Sequence, residues 1–327
     1  MKEQLKSKRN IFITGVVLTV VVGMFGFIST FAIFKVIAEL QNGIPFTKTM
    51  FVVPLIFYPI VIYTIFYLLT YFPSITIDKR GIEVSTIFRA KNYHWSEIKE
   101  IQLTGKRPHK FMFIAMPVEA TTILLNDNSV IYIWVDYYSN KSELRVILDR
   151  ANKILHDNKK ITTLDFDINR PDHSEYYIDD NDAKEFNGNH LLTSNGLFFY
   201  GWLGFIAFMV YLKPQVFLTN FGAIISISLA TIVFSISLSY QMNYFKMTNK
   251  YLIVKNSIWF WRNDVYLLSD IREVVIESPR KLSKSLRVIT NDFQGKLYPS
   301  GNLRKSKWKE LIEQLKAAKI EIRNETI

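Results

Sequence analysis

Two heptapeptides decide how the chain is read: WSEIKEI at 95–101 and LSDIREV at 268–274. Each sets Ser, an acid, Ile, a base, Glu and a β-branched residue in the same order. The apolar positions Ile98, Ile101 and Leu103 correspond to Ile271, Val274 and Ile276. In each set the last two fall two residues apart, the spacing of a half-buried strand. A short phrase can recur by chance, so the weight falls on what flanks it.

Upstream stand SITIDKRGIEV (74–84) and YFKMTNKYLIV (244–254), each a strand, a turn and a second strand. Asp78 and Gly81 supply the turn chemistry in one, Thr248 and Asn249 in the other. Downstream, TTILLNDNSVIYIW (121–134) and SLRVITNDFQGKLY (285–298) each carry an Asn-Asp turn between strands, a hairpin signal. Both series finish on an amphipathic helix. KSELRVILDRANKIL (141–155) aligns Leu144, Ile147, Leu148, Ala151 and Leu155 on one face. KWKELIEQLKAAKIEI (307–322) aligns Trp308, Leu311, Ile312, Leu315 and Ala318. The phrase therefore recurs because a whole unit is expected to recur.

Each unit is preceded by two apolar blocks. These are 11–34 and 50–72 in the first, 196–212 and 216–240 in the second. A helix needs about 20 apolar residues to cross a hydrocarbon core of about 30 Å. None of the blocks contains an ionisable residue, so four transmembrane helices in two hairpins are expected. The basic MKEQLKSKRN resembles the start of a signal peptide, but the block behind it is too long, and it reads as a retained helix. The predicted hairpin tips, 37–49 and 213–215, hold only Lys48 and Lys213 of the 40 basic residues. Both termini and both polar segments are thus expected in the cytoplasm. The net charge of +11 lies where that topology requires it, which removes the case for a nucleic-acid partner. Cysteine is absent, which excludes disulfides, thiolate nucleophiles and Cys-ligated metals.

The stretch MTNKYLIVKNSIWFWRNDVYLLSDIREVVIESP (247–279) resembles the bacterial PH domain family, PH-like modules found beside transmembrane hairpins. The first unit resembles it more loosely, through Asp78-Lys79-Arg80-Gly81 and WSEIKEI. The resemblance implies an α+β membrane protein with two PH-like, partly open β-barrels, each capped by a C-terminal helix. It also implies a bacterial plasma (inner) membrane. The segments expected are a cytoplasmic N-terminus (1–10), hairpin 1 (11–72), a PH-like domain (73–160), an acidic linker (161–194), hairpin 2 (195–240) and a second PH-like domain (241–327).

Signs of catalysis do not emerge. The histidines 94, 109, 156, 173 and 190 lack metal-ligand spacing, and there is no nucleophile elbow, P-loop or dinucleotide fingerprint. Asp179, Asp180 and Asp182 do not meet the EF-hand pattern, so the segment reads as a solvated acidic linker. No enzyme and no cofactor is expected.

The candidate contacts for anionic lipid or a protein partner are basic. GKRPHK (105–110) offers Lys106, Arg107 and Lys110, and SPRKLSK (278–284) offers Arg280, Lys281 and Lys284, as loops at equivalent positions. A third cluster, Arg304, Lys305, Lys307 and Lys309, opens the last helix, where the helix dipole disfavours cations. Within the membrane, Gly15, Thr19 and Gly23 in the first helix, and Ser228, Thr231, Ser235 and Ser239 in the fourth, are expected to pack helices together. Pro54 and Pro59 fall inside the second. The reading is a non-catalytic membrane-anchored scaffold that contacts membrane lipids, with a homo-oligomer or a membrane-protein partner. The alternative is a protein giving tolerance to antimicrobial peptides, or an accessory subunit of a transporter.

Overall fold

A computed structural model describes residues 3–11, 15, 18–43, 45, 48–111, 114–157, 161, 164–168, 182–215, 221–278 and 283–326. The chain groups into two α+β units, Met1–Asn169 and Arg170–Ile327.

The first unit begins with β1 (Gln4–Lys6), a π-helical stretch (Leu18–Phe25), α1 (Gly26–Gln41) and α2 (Lys48–Tyr71). Then β2 (Ser74–Asp78), β3 (Gly81–Ser85) and β4 (Ala90–His94) form a meander, and β1 pairs antiparallel with β2, giving the order β1-β2-β3-β4. In the second sheet β7 (Ile114–Leu125) pairs with β5 (Ile98–Gln102), β6 (Lys106–Phe111) and β8 (Val130–Trp134). The unit closes with α3 (Lys141–His156), which buries Leu144, Ile147, Leu148 and Ala151 as its periodicity requires.

The second unit follows a similar sequence. After β9 (Lys184–Phe186) come α4 (Ser194–Leu212) and α5 (Phe221–Ser239). Next, β10 (Asn243–Met247), β11 (Tyr251–Asn256) and β12 (Asn263–Leu267) join β9 in the order β12-β11-β10-β9. Its second sheet is built from β13 (Ile271–Glu277), β14 (Ser285–Thr290), β15 (Gly295–Pro299) and β16 (Glu321–Glu325), with α6 (Lys305–Ala317) before the last strand. Phe186, Phe245, Leu252, Val274, Ile276, Leu286, Tyr298, Trp308, Leu311 and Leu315 form the core between sheets and helix.

The two phrases turn out to be the corner between sheets. In each, the first three residues wind one 3-10 turn, Trp95–Glu97 or Leu268–Asp270, and the rest enter β5 or β13. The Asn of each Asn-Asp turn ties the corner down. Asn126 donates its backbone N–H to Glu97 O (2.8 Å) and its side chain to Ser96 O (2.8 Å). Asn291 does the same to Asp270 O (2.8 Å) and Ser269 O (2.9 Å). The register then slips between Ile98 and Glu100, and between Ile271 and Glu273, a bulge at the same step. The expected turns form too. Asp78 Oδ1 accepts from the N–H groups of Arg80 and Gly81, and Thr248 Oγ1 from those of Lys250 and Tyr251.

Several expectations are corrected. The sheets are four-stranded and do not close into barrels. The last helix stops at Ala317: Lys319 takes φ +59°, and Ile320 N–H bonds back to Leu315 O at 3.1 Å, the hydrogen bond of a Schellman cap. The remaining residues become β16, parallel to β13. Parts of the segment 161–194 are structured. Leu164 and Phe166 are buried, Arg150 bonds the carbonyls of Asp165 and Asp167, and Lys184–Phe186 is already sheet. Asp179 and Asp180 lie outside the described residues.

Three helical segments are long and apolar enough to cross a membrane: Val21–Gln41, Met50–Tyr71 and Ser194–Leu212. Their apolar side chains are exposed on most sides, where a helix of a soluble domain would bury a stripe. Along α1 only Ser29, Ala32 and Val36 are buried. The described apolar run of α5, Ile227–Ser239, is shorter. The first block ends later than expected, because α1 continues to Gln41, with Asn42 as its cap and Gly43 at φ +69° just beyond. Lys35 and Glu39 therefore lie on the helix, near its end, where long side chains can reach water. Pro54 and Pro59 lie within α2.

Candidate functional site

At the sheet-side end of the first hairpin, α2 leads through Phe72 into β2, and its last turns meet the basic segment. That segment is a strand: residues 106–111 pair along β7, so GKRPHK is no loop. Strand alternation turns Arg107 and His109 to one face, Lys106 and Lys110 to the other. Arg107 folds onto its own sheet, donating to Thr122 Oγ1 at 3.0 Å and to Gln102. Lys106 is half-buried and Lys110 exposed.

His109, the basic segment's least conspicuous residue, is 4% exposed. Its Nε2 bonds Tyr67 Oη of α2 and Tyr137 Oη (2.7 Å), and its ring lies 4.2 Å from that of Trp134. Phe72 stacks on Tyr137 at 4.0 Å. Burial pushes the imidazole below its usual value of 6.5. The folded unit thus favours neutral His109, while the unfolded chain takes up a proton below about 6.5. Stability from this junction is present above that pH and lost as pH falls through the lower folded value. A proton on His109 would quench Trp134. The intact chain should lose Trp emission as pH falls below 6.5, relative to His109→Gln, and identical titrations would refute the coupling.

In the second unit Arg280 and Lys281 lie outside the described residues. Lys284 sits over the Trp308 ring at 5.0 Å, its ammonium pushed to lower pKa by burial and then by the charge of Lys305. Arg304, Lys305 and Lys309 are exposed around the first turns of α6. Lys307 pairs with Glu310 at 2.9 Å, and Lys184 of β9 reaches the same carboxylate at 2.8 Å. Those two ammonium groups hold Glu310 down to about 2.

This cluster also stands at its hairpin's sheet-side end. Gln241, two residues beyond α5, accepts at its backbone O from Gly301 N–H (2.8 Å), and at Oε1 from Ser283 Oγ (3.0 Å). Ser300 N–H bonds Lys284 O at 3.0 Å. Asn195, in the first turn of α4, lies against Gly301, where an added Cβ would come within 2.2 Å of Asn195 Nδ2. That Nδ2 is buried and unpartnered among the described residues.

Of the helix-packing residues, Thr231 accepts from Trp202 Nε1–H across the hairpin at 3.3 Å. Ser235 is half-buried on the same face, and Ser239 is buried with its hydroxyl on Ile236 O. Ser228 is exposed. In the first-helix stripe Thr19 and Gly23 are exposed and Gly15 is half-buried, with no described atom within 4 Å of an added Cβ. The helices meet instead through Phe25 on Phe57 (4.8 Å) and Thr30 with Tyr58 (3.0 Å).

No protein-family model matches the chain, and a search of curated proteins returns no match.

Proposed function

We propose that the chain is a non-catalytic, membrane-anchored scaffold, with four spans and two PH-like units derived from one by duplication. The tied corners, the bulges at the same step and the order of elements support the duplication. The distribution of Lys and Arg supports a cytoplasmic location for both units and both termini. The resemblance to the bacterial PH domain family favours the inner membrane. The observation that carries the reading is the placement of Lys284, Lys305 and Arg304 around the residues that enter and leave a helical hairpin. A charge there lies within reach of the headgroups of the leaflet that the hairpin enters. In the first unit Lys106 and Lys110 lie on the face of β6 opposite His109, the residue that meets α2, with Arg107 turned to its own sheet. The exposed Thr19, Gly23 and Ser228, with Gly15 on the same stripe as the first two, leave surfaces for a second copy or a membrane-protein partner.

Each basic residue near an anionic leaflet contributes about 1 kcal/mol. Lys284→Ala with Lys305→Ala should therefore weaken anionic-headgroup enrichment around the full chain in nanodiscs by roughly thirtyfold at most, and by less in high salt. Enrichment that is absent from the unaltered chain, or unchanged in the variant, sinks the lipid contact. A partner protein lost from the same variant would assign the cluster to protein recognition instead.

A further inference from the structure

Beyond the helices, each unit exposes large apolar side chains at the turn between the third and fourth strands of its first sheet. In the second unit this is Trp259-Phe260-Trp261-Arg262, between β11 and β12, with Phe260 82% and Trp261 71% exposed. In the first it is Ile87-Phe88-Arg89, between β3 and β4, with Ile87 61% and Phe88 63% exposed. Neither belongs to the basic clusters.

Both turns lie directly beside a hairpin helix. The Phe88 ring is 6.2 Å from that of Phe66, which is itself 53% exposed on the surface of α2. Phe66 precedes the end of α2 by five residues, which at 1.5 Å per residue is about 7–8 Å along the axis. Trp259 lies 6.4 Å from Tyr240, the residue after α5, and the Arg262 guanidinium sits over the Tyr240 ring at 5.7 Å.

The second turn is held in place rather than loosely exposed. Asn256, buried at its base, donates to Ser239 O at the end of α5 (2.9 Å). Its Oδ1 accepts from the N–H groups of Ile258 and Trp259, both at 2.9 Å. One side chain thus joins the helix end to the aromatic turn. In the first unit Thr86 closes the turn, its N–H donating to Arg89 O at 2.7 Å and its Oγ1 accepting from Arg89 N–H at 3.0 Å.

We infer that these two turns are interfacial anchors that insert their aromatic side chains into the headgroup–acyl boundary around the hairpins. This rests on the membrane reading above. The occupant follows from continuity: the lipid that covers Phe66 on α2 must also cover Phe88 beside it. The chemistry agrees, since Trp, Phe and Arg together suit the membrane–water boundary, where the ring is buried and the guanidinium stays hydrated. The depth agrees too, because apolar groups at this boundary sink about 5–10 Å. Two turns on separate units, each beside its own helix, share an exposed Phe and a following Arg. Each sheet domain is then held to the bilayer at a second point besides its covalent link to the helices, which restricts its tilt.

The absence of cysteine makes the test direct. Single cysteines at Phe88→Cys or Phe260→Cys in the full chain are labelled with a nitroxide and reconstituted into vesicles of mixed zwitterionic and anionic phospholipid. Collision rates with oxygen, which partitions into lipid, and with a water-soluble nickel chelate are compared. Phe208→Cys on α4 serves as the reference in the span, and Lys316→Cys on α6 as the reference in water. The inference expects the oxygen-to-nickel ratio at 88 and 260 to exceed that at 316 several-fold and to approach that at 208. A ratio equal to that at 316 overturns the anchors while leaving the spans intact. Loss of collisions with both reagents would mean that protein covers the turns, which also overturns it. A water-like ratio at 208 would remove the membrane reading itself, and the anchors with it.

Discussion

Arg145→Met should lower the unfolding free energy of the first unit by about 3–5 kcal/mol, the cost of removing one member of a buried ion pair. The pair is enclosed: Arg145 on α3 and Glu119 on β7 have side chains 4% and 3% exposed, with N–H to O at 2.9 Å. Glu119 Oε1 also accepts from Gly105 N–H at 3.1 Å, and Arg145 Nε–H bonds Thr121 Oγ1 at 3.3 Å. Gly105 holds φ +144°, where a side chain would strain the backbone that delivers this N–H. Removing the guanidinium leaves a carboxylate in a site that water does not reach. Hydrogen exchange of β7 and α3 peptides reads the effect. Amides that exchange only through unfolding of the unit should speed up by about two to four orders of magnitude. Combining Glu119→Leu with Arg145→Met should recover most of the loss, since an apolar pair of similar bulk has no charge to strand. A single variant that costs less than about 1 kcal/mol would mean that the pair is hydrated, as exposed pairs are.

Asn256→Ala should cost about 3 kcal/mol, because it abandons several groups at once and each buried orphan costs about 1–3 kcal/mol. Besides Ser239 O and the amides of Ile258 and Trp259, the side chain donates to Asn243 Oδ1 at 3.1 Å. Asn243, fully buried, donates onward to Tyr240 O and Pro299 O, so helix end, first sheet and second sheet share one polar knot. Thermal unfolding of the full chain in detergent should show the loss. Exchange of peptides spanning 257–262 should accelerate more than that of α6, since α6 packs through Trp308, Leu311 and Leu315 and does not use the knot. Equal acceleration in both would assign Asn256 to general stability and not to holding the turn.

Much of the fold was legible where the signal is local. The corner phrases, the Asp78 and Thr248 turns and the buried faces of α3 and α6 are set by residues within a few positions of each other, so spacing and side-chain chemistry suffice. Long-range pairing left little trace. β1 is only Gln4–Lys6 and β9 only Lys184–Phe186, too short to alternate, and the partner of Gln4 is Asp78. β16 was hidden because the helix before it ends on Lys319 in the left-handed region, where Gly would have marked the stop. Arg145 stands between Ser142 and Leu148 on an amphipathic helix and reads as its polar face, since nothing nearby announces Glu119. At the candidate contact surface the residue types were readable and their engagement was not. Arg107 and Lys307 are occupied by Gln102, Thr122 and Glu310, partners that the fold supplies. The aromatic turn was visible as composition, but its position beside α5 was not.

The pairing of β1 with β2, and of β9 with β10, has a consequence for how the chain is made. Each helical hairpin is spliced between neighbouring antiparallel strands, so a sheet edge waits unfilled until the chain has gone out and come back. On the membrane topology proposed above, a nascent chain that crossed only once would leave its first strand and its second on opposite sides of the bilayer, with no way to meet. Strand docking therefore acts as a receipt for a completed round trip. Until it is issued, the exposed edge of β2 or β10 marks the protein as unfinished to any factor that recognises open strands.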